Sequence, residues 1–467
     1  MVTLTPLHFI YLATIVIVLA LMIMKHDVVV PCILGLFIIG TFYAGFNPIL
    51  GAQAVFNGMM VAGADLFDIM LIIALMVAML RSMEHMGADR MMIAPAASLL
   101  KTPTMAFWVI AAVMYIFASF FWPTPATALV GTLLIPIAMK AGLNPMMACI
   151  AMNLAGHGMA LSGDLILQGA PALAAQAANV NVETILPKGG MLATVVGIVA
   201  LVTTFIINRK EITTAYVPPK GSESVGSSTE EVKNPPSYAK IFAILVPVVF
   251  LAILARIIAG AAIESLPAIF GGDATALLGG AAAVVLVVTT AVDCKDNFLE
   301  TIVDYLRAGM LFSIKIFAPV IPIAAFFFTG NPESVVSILG EGAPGFLFDL
   351  GTAMGEVIPM NALFLALGIA IIGAITGLDG SGFSGVPLVA GLAAALAGPV
   401  GYDVAILAAL GQVTAIWVGG GTLSAWAFGA VASAGVAGIP AAELVRKNFI
   451  PVMIGFAAAI AVTVFMM

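Results

Sequence analysis

Apolar stretches of roughly 18–25 residues recur along the whole chain, and each is long enough to cross a bilayer as a helix. They start at residues 8–24, pause at Lys25, His26 and Asp27, and resume at 28–46. The first lacks the basic start and short apolar core of a cleaved signal, so it reads as a retained span. Only 9% of the 467 residues are charged and 62% are hydrophobic, too little charge to coat a soluble domain. These features predict an all-α polytopic membrane protein and leave no segment long enough for a soluble catalytic domain.

One segment breaks the pattern. Residues 209–238 are rich in Pro, Ser, Gly and charge, as a solvated linker is. They separate a first half, 1–208, from a second, 239–467, and the halves read alike. Spans at 8–24, 28–46 and 66–86 answer to spans at 240–262, 274–292 and 307–328. Each set leads to two apolar arms around a Gly/Pro/Thr-rich tip, residues 122–127 in the first half and 377–385 in the second. A helix interrupted by glycines follows, at Gly156, Gly158 and Gly163, then at Gly419, Gly420 and Gly421. Each half closes with an acidic–basic turn (Glu183 to Lys188, Glu443 to Lys447) and a last span. Asn153 lies 29 residues after Thr124 and Gln412 lies 32 after Gly380, which keeps the halves in step.

Five spans and one re-entrant hairpin per half make an odd number of crossings, so the expected architecture is two inverted repeats, each with a broken helix. With the N-terminus outside, fourteen Lys and Arg fall inside and only Lys188 outside, while Arg256 and Lys315 lie within spans. That asymmetry predicts a cytoplasmic linker, both termini outside, and the inner membrane of a prokaryote as the location.

Backbone broken at membrane depth survives only where protein or a water-filled cavity satisfies it. Matched breaks and tips therefore point to a shared binding site, whose helix N-termini would attract an anion. Thr124, Thr127, Asn153, Gly156, His157, Ser381, Gly382, Ser384, Gln412, Gly420 and Thr422 are the candidate substrate contacts, with Lys315 as a mid-span cation. Asp379, a carboxylate at the second tip beside Gly380 and Ser381, is the candidate coupling-ion residue. The competing readings are a capping aspartate, a static Asp379–Lys315 pair, and glycines that serve only close helix packing.

Three dispersed cysteines (Cys32, Cys149, Cys294) and four histidines suggest no metal ligand set, and no nucleotide loop is present. The run Gly380–Gly385 fits a dinucleotide fingerprint, but apolar arms flank it where a strand and helix would be needed. No cofactor is expected beyond Na+ as a possible coupling ion, and no nucleic acid partner; the partners are lipid and a small anionic substrate.

The order of spans, arm pair, broken helix and last span, given twice, resembles the ion transporter superfamily, which includes permeases for gluconate, citrate and dicarboxylates. Residues 141–152 are similar to the segment after the first arm pair of citrate-type symporters, and the Asp379-Gly380 tip is similar to theirs. Sodium-coupled dicarboxylate members carry Ser-Asn-Thr at both tips, where this chain has Pro-Thr-Pro-Ala-Thr and Asp-Gly-Ser-Gly. The resemblance implies outer helices holding a mobile transport unit, substrate between the tips, and a homodimer. The function expected is symport of a small organic anion, such as a carboxylate, with Na+ or H+. The alternative is a cation/proton antiporter, and no enzymatic activity is expected.

Overall fold

The structure is a computed structural model, which describes residues 4–24, 26–216, 235–262, 266–267, 269, 272–357, 361–380 and 382–467. Among these residues every regular element is a helix, and seven helices are long and apolar enough to cross a membrane. The first half runs α1 (Pro6–Ile23), α2 (Val29–Tyr43), α3 (Pro48–Met86), α4 (Ala88–Ala97), and a hairpin of α5 (Pro103–Phe121) and α6 (Pro123–Lys140). Then come α7 (Pro145–Asn153), a π-helical stretch (Leu154–Ala160), α8 (Leu161–Gly163), α9 (Gly169–Ala178), α10 (Val182–Ile207) and α11 (Arg209–Thr213).

The second half is also helical and also holds a hairpin followed by a π-helical break. It has α12 (Ser237–Ala262), α13 (Gly272–Cys294), α14 (Phe298–Phe317), α15 (Val320–Phe328), α16 (Ser334–Leu339) and α17 (Phe346–Val357). A hairpin of α18 (Ala362–Thr376) and α19 (Val386–Ala397) follows, then α20 (Val404–Trp417), a second π-helical stretch (Val418–Thr422), α21 (Phe428–Ala437) and α22 (Ala441–Met466). Local chemistry starts many of these helices. Asn47, Thr102 and Asn144 each precede a proline at the first helical position, and each side chain accepts from a backbone N–H of the first turn. Asp403 does the same for α20 through Ala405 and Ile406.

Helix α14 packs antiparallel on α3, and α22 packs antiparallel on α10. Ser313 of α14 donates to the Met70 carbonyl of α3 at 2.8 Å, and Gly309, one turn back, lies against Ala74, one turn on. A Cβ at Gly309 would sit 2.1 Å from the Ala74 carbonyl oxygen, so only glycine allows this approach. Likewise Lys447, early in α22, pairs with Glu211 just beyond the end of α10, while Gly455 further along lies against Val196. The helices α7 and α20 are buried on all sides at the centre, whereas α12, α13 and α22 present large apolar side chains outward. A helix apolar outside as well as inside is solvated by lipid, not water.

Some expectations shift. The third span, expected at 66–86, is the end of the 39-residue α3, about 58 Å long at 1.5 Å per residue. Its first half carries no glycine–proline turn to stop it. The span expected at 307–328 begins at Phe298 and is divided at Pro319 into α14 and α15. Part of the expected linker is folded: Ile212 of α11 is buried, and the Tyr216 N–H donates to the Gly142 carbonyl at 2.8 Å. Residues 217–234 of that linker lie outside the described residues.

Candidate functional site

Two breaks hold each other. The Asn153 side-chain Nδ2, at the end of α7, donates to the Gly421 carbonyl at 3.2 Å; the Gln412 Nε2, on α20, donates to the Ser162 carbonyl at 2.8 Å. Asn153 lies nine residues before Ser162, and Gln412 nine before Gly421. The same bond is therefore made twice, each half supplying the amide for the other half's break. Gly421 has φ 105°, a left-handed conformation that glycine adopts without strain, and this frees its carbonyl from the helical ladder. His157 and Gly420 also meet, since a Cβ on Gly420 would lie 2.7 Å from the His157 carbonyl oxygen.

The exchange is not perfectly symmetric. Asn448 of α22 donates to Asn153 Oδ1 at 2.9 Å and to the Thr422 carbonyl at 3.1 Å. Asn448 follows Gln412 by 36 residues; the residue 36 after Asn153 is Gly189. Gly189 faces the Gln412 amide, as Asn448 faces Asn153, but offers it no side chain. Among the described residues the Gln412 Oε1 accordingly has no hydrogen bond, although Gln412 is fully buried. Asn153 is saturated by comparison, with Ser433 Oγ at 3.3 Å as a further contact.

Further buried polar atoms lack hydrogen bonds among the described residues: His157 Nε2 and Ser162 Oγ at the first break, Ser424 Oγ just after the second, and Thr124 Oγ1 and Thr127 Oγ1 at the start of α6. Leaving such a group unpaired costs about 1–3 kcal/mol, so each of these atoms is open to a further partner. The two hairpin tips meet through Trp122 and Phe383, ring centroids 5.4 Å apart, and Phe317 of α14 lies edge-on to Phe383 at 5.8 Å. Trp122 itself has φ 68°.

Of the expected contacts, His157 and Gly420 touch, Asn153 and Thr422 are joined through Asn448, and Gln412 reaches the first break at the Ser162 carbonyl. Thr422 donates to the Trp417 carbonyl, and Gly156 packs on Met114. Gly382 lies against the Ala415 carbonyl and the Gly420 N–H, which seats the second tip on the second broken helix, and Ser384 is buried beside it. Asp379 and Gly380 close a short 3-10 turn at that tip, while the Asp379 side chain and Ser381 lie outside the described residues. Lys315 does not belong to the site. On α14 the residues Ser313 and Phe317 are buried against the protein, and Lys315, two positions from each, is exposed on the opposite face with Leu311 and Ile314.

The sequence reading missed Asp164. The first break expected at Ser162 and Gly163 opens one residue later, where Asp164 (φ 38°) and Gln168 (φ 62°) leave the helix. Asp164 is buried and its Oδ2 accepts from the Ala170 N–H at 2.9 Å, capping α9. An acid inside the apolar run 145–178 is the same signal that singled out Asp379. Asn448 was hidden because it follows Arg446 and Lys447, whose charges marked the region as a turn.

No protein-family model matches the chain. The uncharacterized membrane protein YhfA of Bacillus subtilis (strain 168) is 38% identical to it over 455 residues, which cover 96% of either chain. Since identity at that level runs nearly the full length of both proteins, this chain, an all-α polytopic membrane protein, belongs to the same family as YhfA.

Proposed function

We propose that the chain is a secondary active transporter that couples Na+ or H+ to symport of a small organic anion such as a carboxylate. The observation that carries this is the reciprocal pair, Asn153 to Gly421 and Gln412 to Ser162, set among buried polar atoms without partners. A pair of broken helices that brace one another across two repeats is what an alternating-access binding site requires. The antiparallel packing of α3 on α14 and of α10 on α22 supports reading the halves as inverted repeats.

Helix N-termini favour the anion. The starts of α6, α19 and α21 have no side-chain cap among the described residues, so their positive dipole ends remain available, although Pro123, Pro125 and Pro387 carry no N–H to offer. The start of α9 is the exception, held by Asp164. Asp164 therefore joins Asp379 as a candidate seat for the coupling cation. The resemblance to the ion transporter superfamily suggests the motion: the hairpins and broken helices slide as a unit past α3, α14 and their neighbours, in a homodimer. In this reading the termini face outward, the linker faces the cytoplasm of a prokaryotic cell, and the chain performs no enzymatic chemistry.

The test is uptake into proteoliposomes. Radiolabelled mono-, di- and tricarboxylates are offered with inward Na+ or H+ gradients, and at least one should accumulate above equilibrium. Asp379→Asn and Asp164→Asn should separate accumulation from downhill exchange, the coupling residue losing only the former. If a cation gradient alone drives proton flux and no organic acid accumulates, the protein is a cation/proton antiporter, a reading that the buried Asp164 favours.

A further inference from the structure

A cluster of ligating side chains joins the two halves far from the breaks. His85, on the last turn of α3, meets Asp293 and Cys294 at the end of α13, 208 residues away in sequence. An imidazole nitrogen, a carboxylate oxygen and a thiol sulfur lie within 4.8 Å of one another. No periodicity could reveal this grouping, and no metal was expected from the cysteine and histidine spacings.

The cluster is held in place. One turn before it, Ser82 and Thr289 share a buried hydrogen bond of 2.7 Å, which fixes α3 and α13 in parallel register. The Tyr238 hydroxyl donates to Asp293 Oδ1 at 2.8 Å, leaving Oδ2 to face His85 Nδ1. An outer partner that orients a ligating carboxylate is a recurrent part of metal sites. Both helices end here, and their C-terminal carbonyls add negative potential that favours a cation. Ligands 2.0–2.3 Å from a tetrahedral zinc lie roughly 3.3–3.8 Å apart, so the His85–Asp293 pair, at 2.5 Å, must open by about an ångström and the sulfur must close by no more than that. The His85 side chain is 59% exposed, which leaves the site open to solvent.

We propose that His85, Asp293 and Cys294 bind a zinc-like divalent transition metal, with water completing a tetrahedral set. Cys294 binds as the thiolate, its proton leaving to solvent as the metal–sulfur bond forms. The mixed nitrogen, oxygen and sulfur donors suit Zn2+ or Co2+ over Mg2+ or Ca2+. The ion clamps the first half to the second at the ends of α3 and α13. None of this depends on the transport reading.

Cobalt is the probe. Purified full-length protein in nanodiscs, freed of metal with a chelator, should take up one Co2+ per chain with thiolate-to-cobalt charge-transfer absorption that Zn2+ abolishes. Cys294→Ser should remove the absorption, while the Cys32→Ser, Cys149→Ser double variant keeps it. Tyr238→Phe should keep the absorption and weaken Co2+ binding about tenfold. His85→Ala, a change at an exposed side chain, should weaken binding at least tenfold and carries the test if Cys294→Ser fails to fold. Absence of the charge-transfer band in the wild-type protein overturns the proposal. So does a band that survives Cys294→Ser, or unchanged affinity in His85→Ala.

Discussion

Replacing Asn153 by Leu and Gln412 by Met should have opposite consequences, although the two amides make equivalent bonds. The three shortest of the four contacts that Asn153 makes, at 2.9, 3.2 and 3.3 Å, go to Asn448, Gly421 and Ser433, with the Gly429 carbonyl at 3.5 Å as the fourth. At about 0.6–1 kcal/mol each they sum to about 2–3 kcal/mol, and the stranded Gly421 carbonyl adds about 1–3. Asn153→Leu should therefore cost about 3–6 kcal/mol. Gln412 makes one bond, at 2.8 Å, and carries a buried Oε1 with no partner. Removing it loses about 1 kcal/mol and strands the Ser162 carbonyl, but also removes the desolvated Oε1, which returns about 1–3. Gln412→Met should leave stability within about 1 kcal/mol of the parent while abolishing solute accumulation. Unfolding in mixed micelles, followed by the fluorescence of the buried Trp122 and Trp417, measures both. If Gln412→Met loses more than about 2 kcal/mol, the Gln412 carbonyl is not an orphan awaiting a ligand and the site reading fails.

Other outcomes follow from single residues. Burial pushes the Asp89 carboxyl from 3.8 up to about 6, so its contribution to stability is full below pH 3.8 and is lost as pH rises through about 6. Asp89→Asn should flatten that slope and stabilise the protein at neutral pH by up to about 3 kcal/mol, read from unfolding midpoints against pH. Lys315→Met should leave substrate affinity unchanged, because the side chain points away from the breaks; a tenfold loss in transport titrations would return Lys315 to the site. Single cysteines at Glu223 and Lys233 should resist an impermeant maleimide on intact cells, while one at the exposed Glu183 should react. Labelling at 223 or 233 would reverse every statement of sidedness.

Features set by spacing were legible in the sequence. The positions of α1, α2, α12 and α13 and of the two hairpin tips follow from apolar length and breaker placement, and the spacing singled out Asn153 and Gln412 as matched positions. What spacing could not supply was direction around a helix axis and contacts between distant segments. Lys315 read as an intramembrane charge because its neighbours are apolar, yet two positions along a helix turn a side chain to the far face. The π-helical stretches at Leu154–Ala160 and Val418–Thr422 leave no mark beyond their glycines, since the extra residue in the turn is set by how the two breaks grip each other. His85 and Asp293 share nothing that periodicity detects.

The substitution of Gly189 for the counterpart of Asn448 bears on the resting state of the protein. A molecule whose halves were interchangeable could swap their conformations at no cost and would dwell equally in its two orientations. Here one break is tied by two bonds from Asn448 that its counterpart lacks. Two bonds of about 0.6–1 kcal/mol each shift such an equilibrium by roughly tenfold or somewhat more. Under the proposed transport function, the unloaded protein would thus wait predominantly on one side of the membrane, and a ligand that satisfies Gln412 would level the balance by supplying what Gly189 withholds.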